Sequence, residues 1–143
     1  MLAKLCAKGS DWAGLPLRLA LAAVFIVHGG QKLFGVFGGN GLRATIESFD
    51  KMGFHPAVFW GTLVALVEFF GGVCVGVGLL TRWAALAIAG NMSVAVIKVH
   101  WASGFLMEHH GFEYPMTLAA AALALVLAGP GKASLDHLLK TDR

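Results

Sequence analysis

Charge is what this chain has least of. Of its 143 residues only 13% are charged and 57% are hydrophobic, where a soluble domain carries about 25% charged residues. The scarcity argues against a water-soluble globular protein. Cysteine is nearly absent too: Cys6 and Cys74 stand far apart and form no C-x-x-C, which argues against a dithiol–disulfide mechanism built on this chain alone. They read as a tail thiol and a small buried residue. There is no flavin fingerprint, no haem-attachment motif and no cysteine cluster for an iron–sulfur centre, so for any redox role electrons would have to arrive from a partner protein. The one glycine-rich break, Gly38-Gly39-Asn40-Gly41, lacks a G-K-[ST] and a preceding strand. It reads as a turn, not a phosphate loop.

What the chain does have is long apolar runs. Four qualify as membrane spans: about Leu15–Phe37, Ala57–Leu80, Trp83–Phe105 and Glu113–Ala128. The fourth is the shortest and suits a nearly upright helix or a thinned membrane edge. The predicted fold is an all-α membrane protein, an antiparallel four-transmembrane-helix bundle, with residues 1–143 forming a single domain. The first run follows Lys4 and Lys8 as a signal peptide would, yet it exceeds an h-region of roughly 7–15 residues. It is read as a retained first helix, with Pro16 tolerated in its first turn. Only Thr81-Arg82 or so joins the second and third runs, which forces them into an antiparallel pair.

Between the first and second runs the pattern changes. Leu42, Ile46, Phe49 and Met52 share one helical face, and Arg43, Glu47, Asp50 and Lys51 the other. This predicts an amphipathic interfacial helix over 42–52. After the fourth run Gly129-Pro130-Gly131 stops the helix, and Ser134 is placed to cap a short terminal one.

The formal charge of +3 divides unevenly between the two faces. Lys4, Lys8, Arg18, Arg82, Lys132, Lys140 and Arg143 gather with the termini; Lys32, Arg43, Lys51 and Lys98 lie toward the other face. By the positive-inside rule both termini are expected in the cytoplasm. The basic surplus is thereby a topology signal, and nucleic acid need not be invoked.

Glu68 stands near the middle of the second run. A carboxylate at that depth costs on the order of 3 kcal/mol on insertion scales, so it normally faces a protein interior and has a partner. Lys32, Lys98 or a water could fill that role. Helical spacing puts Arg18, Phe25 and Lys32 on one face with His28 between the last two. Gly61, Ala65, Glu68, Gly72 and Gly76 share another, where Gly72-x-x-x-Gly76 permits close helix approach. Asn91 and Lys98 are seven apart. His28, Gln31, Lys32, Lys98, His100 and Glu113 fall in the outer half-membrane, which predicts one outward-opening polar pocket floored by Glu68. His109, His110 and the 42–52 helix would form its rim. Lys32 and Lys98 also suit snorkelling to the interface, as does Arg18 at the opposite face. His100 and Trp101 suit interfacial anchoring, and Glu113 suits capping. No pair of ligands has the i, i+4 spacing of a helical metal motif, and no metal site is expected.

These stretches resemble the DoxX family of small four-helix membrane proteins. The matching segments are His28-Gly-Gly-Gln-Lys-Leu-Phe-Gly35, Glu68-Phe-Phe-Gly-Gly72 continuing to Gly76-Val-Gly-Leu-Leu-Thr-Arg82, His100, and Gly129-Pro-Gly-Lys-Ala-Ser-Leu-Asp136. Together they run from about Leu15 to Asp136. The resemblance implies a bacterial inner-membrane protein associated with redox complexes, some relatives being subunits of quinone-reducing enzymes. It places Lys32, Glu68, Arg82 and His100 at the family's polar positions, without assigning them a reaction.

Three functions fit these residues. In the first, the chain is a quinone-linked redox subunit. His28 or His100 would hold a carbonyl, Lys32 or Lys98 would stabilise quinol anion character, and Glu68 would relay protons. Phe25, Phe69, Phe70 and Trp101 are then candidates to pack the ring, with Gln31, Asn91 and Glu113 as further ligand-binding positions. In the second, the Glu68–Lys pair belongs to a small-molecule or proton-coupled carrier, which a broken helix at depth would favour and a homo-oligomer would help complete. In the third, the polar residues only fix packing in an assembly subunit. The first is the preferred expectation; the lipid bilayer and a redox partner protein are the expected partners.

Overall fold

A computed structural model describes residues 12–139. The expectations placed on Cys6, Lys4, Lys8, Lys140 and Arg143 lie outside the described residues. Within them the chain is all-helical: α1 (Gly14–Leu33), α2 (Gly41–Lys51), α3 (Ala57–Val77), α4 (Thr81–Val94), α5 (Glu113–Ala128) and the short α6 (Leu135–Leu139). Beyond Val94 the backbone widens into a π segment, Ala95–His100, and tightens into a 3₁₀ turn, Trp101–Ser103. Counted through that turn, three helices are long and apolar enough to cross a membrane: Gly14–Leu33, Ala57–Val77 and Thr81–Ser103. The fourth, Glu113–Ala128, is apolar but shorter at 16 residues.

Small residues decide how these helices meet. A Cβ on Gly29 would stand 2.3 Å from the backbone nitrogen of Phe69, and one on Gly72 would stand 2.9 Å from that of Ile26. Only glycine permits α1 and α3 to approach so closely, as small-residue packing between membrane helices requires. A Cβ on Gly61 would lie 3.2 Å from Ile46 Cα, so α2 beds down on the start of α3. The amphipathic helix occupies 41–51, one residue from its predicted bounds. Leu21, Phe25, Val75, Ile88 and Leu125 close the core between α1, α3, α4 and α5.

One end of the bundle is locked by buried charged side chains. Arg18 was expected to reach out to the interface, yet it is buried, 1% exposed. Its guanidinium donates to the carbonyls of Val75 at 2.9 Å, Gly76 at 2.8 Å, Pro130 at 2.9 Å and Ala133 at 2.6 Å. These carbonyls belong to the end of α3 and to the loop before α6, which supply the polar environment that water would otherwise provide. Asp136, also buried, accepts from the amides of Leu80 (2.7 Å) and Thr81 (2.8 Å), capping α4 from a distant part of the chain. Gly78 lies between them at φ +73°, where a Cβ would meet Ser134 Cβ at 2.4 Å. Arg82 Nη1 donates to Val126 O at 2.6 Å, near the end of α5. Ser134 caps α6, accepting from the His137 amide at 3.2 Å.

Candidate functional site

Glu68 lies on the buried face of α3 with its side chain 4% exposed. Lys32, the penultimate residue of α1, donates from Nζ to Glu68 Oε2. Asn91 on α4 donates from Nδ2 to Glu68 Oε1 at 3.1 Å. Both carboxylate oxygens are thus held by side chains from two different helices. Of the candidate partners, the structure selects Lys32. A carboxylate between an ammonium and a carboxamide keeps its charge satisfied without reaching water.

These three residues stand in the wall of a cavity of about 630 Å³, a size common for small-molecule sites. Its walls come from every long helix: Phe25 and His28 of α1, Phe49 of α2 with Met52 just beyond it, Trp60 and Val64 of α3, Gly90 and Val94 of α4, and Tyr114 and Leu118 of α5. The lining is overwhelmingly apolar. Besides the Lys32–Glu68–Asn91 group it offers the side chains of His28, His100 and Tyr114. His100 Nδ1 lies 2.7 Å from the carbonyl oxygen of His110. A carbonyl only accepts, so Nδ1 is the donor in this bond, and Nε2 is the ring nitrogen left for other partners.

Other predicted site residues lie elsewhere, each for a physical reason. Lys98 is exposed and outside the cavity. The π segment holds more residues per turn than an α-helix, so the face begun by Asn91 passes to Val99 and His100 instead of Lys98. Gln31 binds the glycine break, its Nε2 donating to Phe37 O at 2.9 Å. Trp101 stacks on Phe112, with ring centroids 5.0 Å apart and planes 12° from parallel, as an anchor would. Glu113 accepts from the Met107 amide at 2.7 Å and so ties the loop ahead of α5. Phe69 packs edge-on against Phe34 and Phe70; neither Phe69 nor Phe70 lines the cavity. His109 and His110 are exposed and also outside it, while Phe49 of α2 and Met52, which follows that helix, do reach it. Among the described residues no group of three His, Cys, Asp or Glu converges on a point.

Tyr114, Trp60, Phe54 and Met107 line the cavity without having been singled out from the sequence. Tyr114 had a readable signal: it is the chain's single tyrosine, next to Pro115 at the start of an apolar run.

The DoxX family model matches residues 13–101, a stretch that carries Lys32, Glu68, Asn91 and His100. The chain belongs to the DoxX family. With three helices long and apolar enough to span a bilayer, it is a helical membrane protein. An uncharacterized protein of Haemophilus influenzae is 38% identical over 92% of the chain and 86% of its own length. "Inner membrane protein YqjF" of Escherichia coli is 32% identical, covering 92% of the chain and 95% of that relative. "Putative oxidoreductase CatD" of Bacillus subtilis is 33% identical, covering 82% and 81%. No solved structure gives a significant match. The family model stops before the Gly129–Asp136 stretch, whose part in the fold is the lock around Arg18 and Asp136.

Proposed function

We propose that this DoxX protein is the quinone-binding subunit of a bacterial inner-membrane redox system. In this reading α1, α3, α4 with its π extension, and α5 form an antiparallel four-span bundle with both termini in the cytoplasm, as the distribution of Lys and Arg favours. The observation that carries the proposal is the Lys32–Glu68–Asn91 group set into an otherwise apolar cavity. A quinone needs that combination: an apolar slot for its ring, and a few groups able to hold its oxygens and exchange protons.

The roles follow from what each side chain has left to offer. Lys32 keeps N–H donors beyond the one given to Glu68, and its positive charge favours the developing quinol anion. Glu68 is the proton-exchanging group. His28 and His100 are placed to hold the other ring oxygen, and Phe25 with Trp60 supplies aromatic packing. Electrons come from a partner protein, since this chain contains no redox motif. The name of the Bacillus subtilis relative accords with an oxidoreductase system, and that of the Escherichia coli relative with the inner membrane.

For the carrier reading, the glycine-rich α3 runs unbroken from Ala57 to Val77, and the departure from α-helical geometry falls instead in the third span, at Ala95–His100. The assembly reading draws on the same ion pair, because it joins α1 to α3. Co-purified quinone analysis and titration with a short-chain quinone separate them, using wild type beside Glu68→Gln and Lys32→Met. Saturable binding that is lost in well-folded variants supports the redox site. Variants that lose only stability, in a protein that binds no quinone, would make the group structural.

A further inference from the structure

Two cavities meet at one side chain. Lys32 lines the apolar cavity and also a second one of about 280 Å³. The second is polar, walled by Gln31, Asn40, Thr45 and Ser48 with the backbone of Gly38 and Gly39. Gly39 keeps it tightly built, since a Cβ there would lie 2.4 Å from Gln31 Cα. The hydroxyl protons of Thr45 and Ser48 go to backbone carbonyls, Gly41 O at 3.0 Å and Ala44 O at 2.9 Å. Gln31 Nε2 gives a proton to Phe37 O. These groups retain oxygen lone pairs, which are acceptors for water.

Glu68 has no comparable access of its own. Its side chain is 4% exposed against 29% for Lys32, and its hydrogen-bond partners are Lys32 and Asn91. A carboxamide has no acidic proton to pass on, whereas an ammonium can hand one along its hydrogen bond to a carboxylate. We infer that the smaller cavity is an aqueous vestibule and that Lys32 is the proton-transfer group connecting it to Glu68.

The step balances as follows. Lys32 passes one N–H proton to Glu68 Oε2, leaving a neutral amine beside a neutral carboxyl. The amine then takes a proton from a hydronium ion in the vestibule. One proton has entered, and the pair has risen from net zero to one positive charge. Reversal returns the proton to the same aqueous face. This route deepens the quinone reading, on which it rests only for the use made of the proton.

The test plugs the vestibule reversibly. Ser48 is exposed on α2, so Ser48→Cys, in a Cys6→Ser, Cys74→Ala background, can be modified with a bulky membrane-impermeant methanethiosulfonate and released with reductant. Infrared difference spectra after an acid jump follow the Glu68 carboxyl band, identified by its loss in Glu68→Gln. The plug is expected to slow its rise by about tenfold or more, a barrier increase of about 1.4 kcal/mol, with recovery on reduction and an unchanged melting temperature. A rise unaffected by the plug, or no Glu68 band at any pH that preserves the fold, overturns the route. Quinone titration of the same samples is read separately: absence of binding in the unplugged protein would remove the quinone reading while the infrared result still decides the vestibule.

Discussion

Lys32 and Glu68 form an ion pair whose two ends differ in exposure, the ammonium part-exposed and the carboxylate enclosed. Their energies are therefore coupled unequally. Removing Lys32 leaves a buried charge with Asn91 as its remaining hydrogen-bond donor, whereas removing both removes the demand for a partner. Lys32→Met is expected to cost about 2 kcal/mol, less than a fully enclosed pair would lose because Lys32 keeps some solvent access. The double variant Lys32→Met, Glu68→Leu is expected to lie closer to wild type than Lys32→Met alone. Denaturation of the four proteins of this cycle in one detergent checks the order.

Glycine at the α1–α3 crossing is a steric requirement. Gly29→Ala forces a methyl against the Phe69 backbone, and overpacking of this kind costs about 1–3 kcal/mol. At Gly90 a Cβ would meet nothing within 4 Å. Gly90→Ala should hold or raise the melting temperature, because a helix-interior glycine costs about 0.5–1 kcal/mol relative to alanine. Parallel thermal melts of the two variants test the contrast.

The Arg18 and Asp136 lock predicts a stability loss with no direct effect on cavity chemistry. Arg18→Leu leaves four carbonyls without their donor and is expected to cost at least about 3 kcal/mol. Asp136→Asn keeps one acceptor for the Leu80 and Thr81 amides and should lose about 1–2 kcal/mol. Melting temperature is the readout for both, with quinone affinity of the folded Asp136→Asn protein expected to match wild type.

His100 separates positioning from ligand contact. His100→Asn places an N–H donor near the position of Nδ1, which preserves the bond to His110 O while removing Nε2. Quinone affinity is expected to fall about tenfold, the loss of one hydrogen bond of about 1.4 kcal/mol, with the melting temperature nearly unchanged. Equal losses of affinity and stability would assign His100 to the loop alone.

Much of this arrangement was legible because depth and helical spacing are strong constraints in an apolar chain. The isolated carboxylate of Glu68 demanded a partner, the glycines of α3 marked its packed face, and alternating faces placed α2 to within one residue. Lys98 was misplaced because its assignment assumed 3.6 residues per turn through Ala95–His100, and a π segment leaves no mark on a hydrophobic pattern. Arg18 is placed differently because its four carbonyl partners are brought together only by the fold, two from the end of α3 and two from a loop more than a hundred residues away in sequence. Trp60, Phe54 and Met107 were invisible for a related reason: apolar side chains line a cavity or face lipid according to how helices are rotated, and composition does not record that rotation.

Photoaffinity labelling with an azidoquinone, followed by peptide mass spectrometry, tests the central claim most directly. The account predicts labelling of peptides carrying Phe25 to Lys32, Trp60 to Glu68 and Asn91 to His100, competed away by unlabelled short-chain quinone. Label confined to exposed apolar positions such as Phe70 and Leu127, or insensitive to competitor, would contradict a quinone site in this cavity.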